Sequence, residues 1–284
     1  MAKAKAIVHG AVSIVSAIAN KKGATLGISL KVEATVETNP GKGIIIQSKN
    51  KTLSSRLINK TVEKILTKKE LEENKITIIL ESEIPTGYGL KSSSAISSAV
   101  ALACAKIFKP ELIDQKILLA GVYASIESKV SITGAYDDAC SCYFGGFNVT
   151  DNAKNQIIRS EKIPVNLIAI IFVPKNLRRG NIKKLKILSS VFYNAWKLAK
   201  DSNYWQAMII NGLATSTILN SDPKIITNLL EKGAIAASIS GNGPAIAAIV
   251  KKEDEQSVKK VFSSLDGSII VSKINNKKAE VYDL

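Results

Sequence analysis

The chain has 284 residues, enough for about two domains or one large one, and 46% hydrophobic against 22% charged residues excludes a disordered polymer while allowing a substantial core. Its net charge of +15 rests almost wholly on lysine, because only Arg56, Arg159, Arg178 and Arg179 are arginine. A diffuse lysine field fits an enzyme for small anions better than a nucleic-acid reader, whose contacts favour arginine and stacked aromatics, and aromatics are only 5% here.

Cys104, Cys140 and Cys142 lack a C-x-x-C metal spacing and point to a reduced, cytoplasmic compartment, with Cys104 read as a small buried hydrophobe. His9 is the only histidine, which leaves acid–base work to carboxylates or lysine and argues against a His-ligated zinc site. Apolar runs such as residues 166–173 fall far below the roughly 18–20 residues of a bilayer span. The opening stretch lacks the sustained apolar core of a secretory leader. A soluble protein without a membrane partner is expected.

Residues 1–50 read as short strands and tight turns, with period-two alternation over 26–38, a turn at 39–43 and a further strand beyond it. Apolar spacing predicts one helix over 52–70 and a strand over 75–85 that stops at Pro85. Helices are predicted at about 92–107 and 112–128, and 129–152 reads as turns and strands. A boundary within 151–164 gives an N-terminal domain of 1–155 and a C-terminal domain of 156–284. The second half opens on a strand at 165–174, continues with helices across 181–199 and 203–219, and adds a short helix from 221. A hairpin over 234–251, a helix from 253 and a last strand near 268–274 complete the chain. Helices among mostly antiparallel strands make this an α+β protein of two closely packed halves.

The stretch PTGYGLKSSSAISSAVALACA (85–105) carries the strongest chemistry. A helix N-terminus offers unpartnered N–H groups and about half a positive charge, a natural anion site. Gly87 and Gly89 allow backbone dihedrals closed to other residues, and Ser92, Ser93 and Ser94 can cap the helix, donate to phosphate or place a hydroxyl on a cation. The Walker pattern G-x-x-x-x-G-K-[ST] is not present.

Pro85-x-x-x-Gly89-Leu90-x-Ser92-Ser93-Ser94-Ala95 resembles the P-x-x-x-G-L-x-S-S-[AS] signature of the GHMP kinases, which phosphorylate small molecules with ATP and Mg²⁺. The resemblance implies an ATP loop of Pro85, Thr86, Gly87, Tyr88, Gly89, Leu90, Lys91, the three serines and Ala95. SISGNGPAIAAIV (238–250) is similar to the family's third motif, so Gly241, Asn242 and Gly243 are expected to close on that loop, although an Asn-Gly pair alone is an ordinary hairpin turn. ITGAYDDACSCYFGG (132–146) resembles the segment bearing the family's catalytic aspartate. Asp137 matches best, and Asp138 remains an alternative. Glu127 corresponds to a glutamate that helps hold Mg²⁺ in several members, with Ser93 preferred over Ser94 as the hydroxyl ligand.

Within the superfamily, GLKSSSA together with ITGAYDDAC and the opening HGAVSIVSAIANKKGATLGISL resembles the archaeal-type shikimate kinases over nearly the whole length. That implies a two-domain fold with a ribosomal protein S5-like N-terminal half and a ferredoxin-like α/β sandwich C-terminal half. It also implies phosphoryl transfer from ATP to the 3-hydroxyl of shikimate in chorismate and aromatic amino acid biosynthesis. Ser13, Asn20, Thr25, Arg178 and Arg179 are candidates for the substrate side. Lys91 is read either as neutralising ATP phosphates or as exposed. Other acceptors within the superfamily (homoserine, mevalonate, pantoate) and a basic RNA-binding protein of related architecture are the competing readings. Oligomeric state is not legible.

Overall fold

The computed structural model describes residues 2–49, 53–131, 133–164, 166–176 and 180–284. Two sheets organise them. The larger has the order β11-β1-β2-β4-β3, with β5 and β6 continuing from the other end of β2. Its strands are β1 (Ala2–Val15), β2 (Lys22–Pro40), β3 (Gly43–Ser48), β4 (Asn74–Ser82), β5 (Phe147–Asp151), β6 (Gln156–Glu161) and β11 (Glu280–Asp283). The smaller runs β10 (Gly267–Lys273), β7 (Leu167–Pro174), β9 (Ile246–Lys251) and β8 (Ala236–Ile239) in spatial order, every neighbour antiparallel.

The first 40 residues form two long strands rather than short ones. β1 and β2 pair antiparallel from Ala2↔Thr38 to Val15↔Ala24, with irregularities after His9 and Ser13. The small residues that read as turns are the positions where the ladder shifts, and the ladder survives because Ala4, Ala6, Val8 and Val12 are fully buried on one face. Strand β2 changes partner along its length: Lys22–Leu26 pairs with β5, and Val32–Pro40 pairs with β4.

The helix expected over 52–70 is two helices, α1 (Ser55–Ile65) and α2 (Lys68–Glu73). Thr67 and Glu70 form a capping box that starts α2 and overrides the continuous apolar spacing. Helix α3 (Ser92–Phe108) packs on β1 and β2 and against α1 and α4 (Asp114–Glu127). The region 129–152 contains a helix not foreseen, α5 (Tyr136–Phe144). Its buried Tyr136, Ala139, Cys140 and Tyr143 have helical spacing, and apolar burial there outweighs the strand-like composition.

Helices α6 (Ser189–Lys200) and α7 (Tyr204–Ile218) stand between the sheets, α7 touching both β1 and β8. Beyond them lie α8 (Pro223–Glu231) and α9 (Glu255–Val261). One core cluster reaches from Val8 and Ile78 of the large sheet to Ile171 of the small sheet and Met208 of α7, and a second lies around Phe192, Ile226 and Phe262. Each fully buried side chain of this size contributes about 1.5–3 kcal/mol. The expected division at 155/156 falls inside the β5–β6 hairpin, and β11 returns from the C-terminus to pair with β1. The two halves thus share a sheet. Cys104, Cys140 and Cys142 are free and buried, and burial pushes the Cys104 thiol up to about 12.

Candidate active site

A cavity of about 390 Å³ lies between the start of α3, the start of α5, the end of β1 and the turn joining β8 to β9. Residues drawn from 53–57 and 125–133, with Ile182, complete the lining, and the α3, α5 and 241–243 stretches arrive through left-handed backbone.

The phosphate-loop candidate enters through Gly87 (φ +90°) and Gly89 (φ +85°), both in the left-handed region that glycine tolerates. Gly89 also needs to be glycine for space, because an added Cβ would run into the Ser240 carbonyl oxygen. Lys91 then starts α3 in left-handed backbone (φ 66°, ψ 25°), and no side chain caps the helix. The serines therefore do not act as the N-cap, contrary to one of the roles open to them. Thr86, Gly87, Gly89, Lys91 and all three serines line the cavity, whereas Pro85, Tyr88, Leu90 and Ala95 do not. Leu90 and Ala95 are buried, and the Tyr88 carbonyl accepts from Ala245 N–H at 3.2 Å.

The turn after β8 lies against this loop. Ser240 Oγ donates to the Gly89 carbonyl at 2.8 Å and accepts from Ser13 N–H at 3.2 Å. Gly241 N–H donates to Ser13 Oγ at 2.9 Å, and Gly241, Asn242 and Gly243 all face the cavity. Ser13 is thus a tie between segments.

Lys91 is neither exposed nor left open. Its side chain is 5% exposed, with Nζ 2.9 Å from Asp138 Oδ1 and 2.8 Å from Ser13 Oγ.

Asp137 and Asp138 lie in the first turn of α5, which also starts from left-handed backbone, at Ala135 (φ 52°). Asp137 is 4% exposed, and its Oδ1 accepts from Asn152 Nδ2 at 2.7 Å while its N–H donates to Asn152 Oδ1 at 3.2 Å. Its other oxygen packs over Gly23, where a Cβ would collide with it. Burial pushes the Asp137 carboxyl up to about 7; the negative charge of Asp138 adds to this, and Lys91 and Asn152 oppose it. A carboxylate titrating near neutrality is suited to taking a proton. Asn152 had no motif to announce it, because only the fold brings the end of β5 beside the start of α5.

Thr25 stands behind the acids rather than in the cavity. Its Oγ1 donates to the Asp137 carbonyl at 2.7 Å, so Ser141 Oγ, 2.6 Å away, donates to Thr25 and itself accepts from Asn148 Nδ2 at 3.1 Å. Asn20 accepts from Lys22 N–H at 3.1 Å and is likewise absent from the lining. Arg178 and Arg179 lie outside the described residues. Glu127 does not itself line the cavity: it ends α4, pairs with Lys64 of α1, and that ammonium holds its carboxyl below the ordinary value. Ser125 and Val130 on either side of it line the cavity, as do Ser54 and Leu57 at the start of α1, so Glu127 stands next to the lining with its carboxylate, expected on the metal, engaged by Lys64.

Among the described residues no three His, Cys, Asp or Glu side chains cluster as a metal cage. Serine hydroxyls at an open helix end, with phosphate as the remaining ligand, fit a hard cation that arrives with its nucleotide and keeps few protein ligands.

The GHMP kinases N terminal domain model matches residues 56–146, and the GHMP kinases C terminal model matches residues 221–266. A shikimate kinase of Methanosarcina acetivorans is 37% identical over 96% of this chain and 95% of its own length. One of Pyrococcus furiosus is 32% identical over 92% and 96% respectively. Among solved structures, a homoserine kinase from Cytophaga hutchinsonii superposes with a TM-score of 0.77 at 18% identity, covering 99% of this chain and 97% of that one. A Methanococcus jannaschii mevalonate kinase gives 0.75 at 16%, covering 96% and 98%. At such identities these two structures establish the fold alone, and the two-sheet α+β architecture is theirs. No described helix is long and apolar enough to cross a membrane.

Proposed function

The chain belongs to the GHMP kinases, in the branch of the archaeal shikimate kinases, and on that premise we propose that it transfers the γ-phosphoryl group of ATP to the 3-hydroxyl of shikimate. The substrate rests on relatives 30–37% identical over nearly the full chain. The observation that carries the residue roles is a buried carboxylate and an uncapped helix end facing one cavity.

In this reading the N–H groups and serines at the start of α3 bind the β- and γ-phosphates. Ser93, with phosphate oxygens, would hold Mg²⁺, which supplies charge neutralisation on the transferring group. Asp137 accepts the hydroxyl proton as the oxygen forms its bond to the γ-phosphorus. The bond from that phosphorus to the bridging oxygen breaks, and ADP leaves with the electron pair. Asn152 fixes the rotamer of Asp137 through both of its own polar atoms. Asp138 is engaged by Lys91, which favours Asp137 as the proton acceptor. The Ser13 end of β1 and the turn at 241–243 line the same cavity and would face the 3-hydroxyl.

A coupled ADP-release assay over shikimate, homoserine, mevalonate and pantoate tests the proposal. Turnover of shikimate alone is expected, and turnover of another acceptor with none of shikimate overturns it.

A further inference from the structure

Lys91 starts α3 in left-handed backbone (φ 66°), the region in which glycine costs least. A lysine at such a position is strained and also buried, two penalties that nothing in phosphate binding by main-chain N–H groups requires. Its ammonium meets Asp138 at 2.9 Å and Ser13 Oγ at 2.8 Å. A Cβ on Gly241 would approach that ammonium to 2.9 Å, so the absence of a side chain on the turn makes room for it. The same Ser13 hydroxyl accepts from Gly241 N–H. One charged group is therefore the junction of the α3 entry, β1, the 240–244 turn and the start of α5.

We propose that Lys91 is a positioning residue: its ammonium fastens Asp138 to the other three segments and offsets the negative charge that Asp138 imposes on Asp137. The inference rests on the reading that Asp137 takes the proton. Asp138 and Lys91 are the charges acting directly on Asp137 among the described residues. On α5 itself Cys140 and Cys142 are held neutral by burial, and Tyr136 is likewise pushed up. From β2 and the end of β5 come the uncharged Gly23, Thr25 and Asn152, while Lys22 and Asp151 on those strands neutralise each other at 2.7 Å. Without Lys91 the two aspartates are left as an unopposed like-charged pair, and Asp137 holds its proton to higher pH.

The test is Lys91→Met, followed in two ways. In the substrate-free protein, carboxyl ¹³C NMR should show the Asp137 titration moving up by about one unit or more. In the assay, kcat at pH 7 should fall about fivefold or more and recover largely at pH 9, with the KM for shikimate changed less than threefold. Lys91→Met/Asp138→Asn, which removes the like charge as well, should return the Asp137 titration toward its original midpoint. Should Lys91→Met fail to fold, Lys91→Gly removes the charge and relieves the backbone strain, and the same titration is read on it. A titration midpoint unchanged in the folded variants overturns the inference. If the unmodified protein does not phosphorylate shikimate, the functional reading fails, and the substrate-free titration still decides the role of Lys91.

Discussion

Helices α2 and α5 begin in opposite ways. On the outside of the molecule, Thr67 starts α2 from extended backbone and, with Glu70, closes its end in a capping box. At the cavity, α5 and α3 start from Ala135 and Lys91 in left-handed backbone with no side-chain cap, and they alone do so among the described helices. The peripheral end is satisfied within the protein and spends nothing on strain. The ends at the cavity carry a cost of roughly 1–2 kcal/mol per left-handed residue; α3 has no side-chain cap, and in the first turn of α5 the Asp137 N–H goes to Asn152, a residue from another element. The left-handed starts thus lie at the cavity, and the capping box lies away from it.

That contrast can be broken most severely at Asp137. Asp137→Asn should lower kcat by about 10²–10⁴-fold with nucleotide affinity retained, as read by ADP release and by equilibrium titration. Because only the ionised form takes the proton, activity of the unmodified enzyme should fall as pH drops below about 7. The stability sign is the reverse of a paired carboxylate. The folded-state value is raised above the unfolded one near 3.9, so between those values the folded protein holds a proton that the unfolded chain has lost, and stability declines as pH rises toward 7. Asp137→Asn should therefore gain on the order of 1–3 kcal/mol at pH 7.5 in denaturant unfolding, a gain that vanishes near pH 4. A variant that is both inactive and less stable would contradict the assignment.

Gly89→Ala comes next. It places a Cβ against the Ser240 carbonyl at a positive φ, and should cost roughly 3 kcal/mol or more while weakening ATP binding, measured by thermal unfolding with and without nucleotide. A loss of stability with undiminished nucleotide stabilisation would separate the loop from the ATP site. Thr67→Ala sharpens the contrast from the other side: loss of about 1 kcal/mol with kcat unchanged is expected, since α2 is remote from the cavity. The smallest effect belongs to Ala135→Gly, which relieves the left-handed entry to α5. A gain of no more than about 1 kcal/mol is expected, and a loss would show that the Ala135 methyl packs more than the strain costs.

Much of this was legible in the order of residues. The glycines and serines of 85–95 announced an open helix end because both residue types act locally, through φ and through the first turn of one helix. The acid pair and the glycine turn at 241–243 were legible as motifs of the same kind. The strands of the second half were marked by short apolar runs between turn residues. Helix α5 was not, because its burial comes from elements far away in sequence, and the local composition of 129–152 favours strand and turn.

Residue order by itself determined a glycine-led, serine-rich helix start, an acid pair and an α+β chain. Only the tertiary structure decided how they combine. It paired Glu127 with Lys64 and turned Thr25 into a prop for the Asp137 carbonyl. It brought Asn152 to the Asp137 carboxylate and buried Lys91 between Ser13 and Asp138. The reason is one of range. Backbone dihedrals and helix ends are set by neighbours in sequence, whereas burial, ion pairing and the charge of an acid are set by whatever the fold brings alongside, here residues 15, 78 and 112 positions apart.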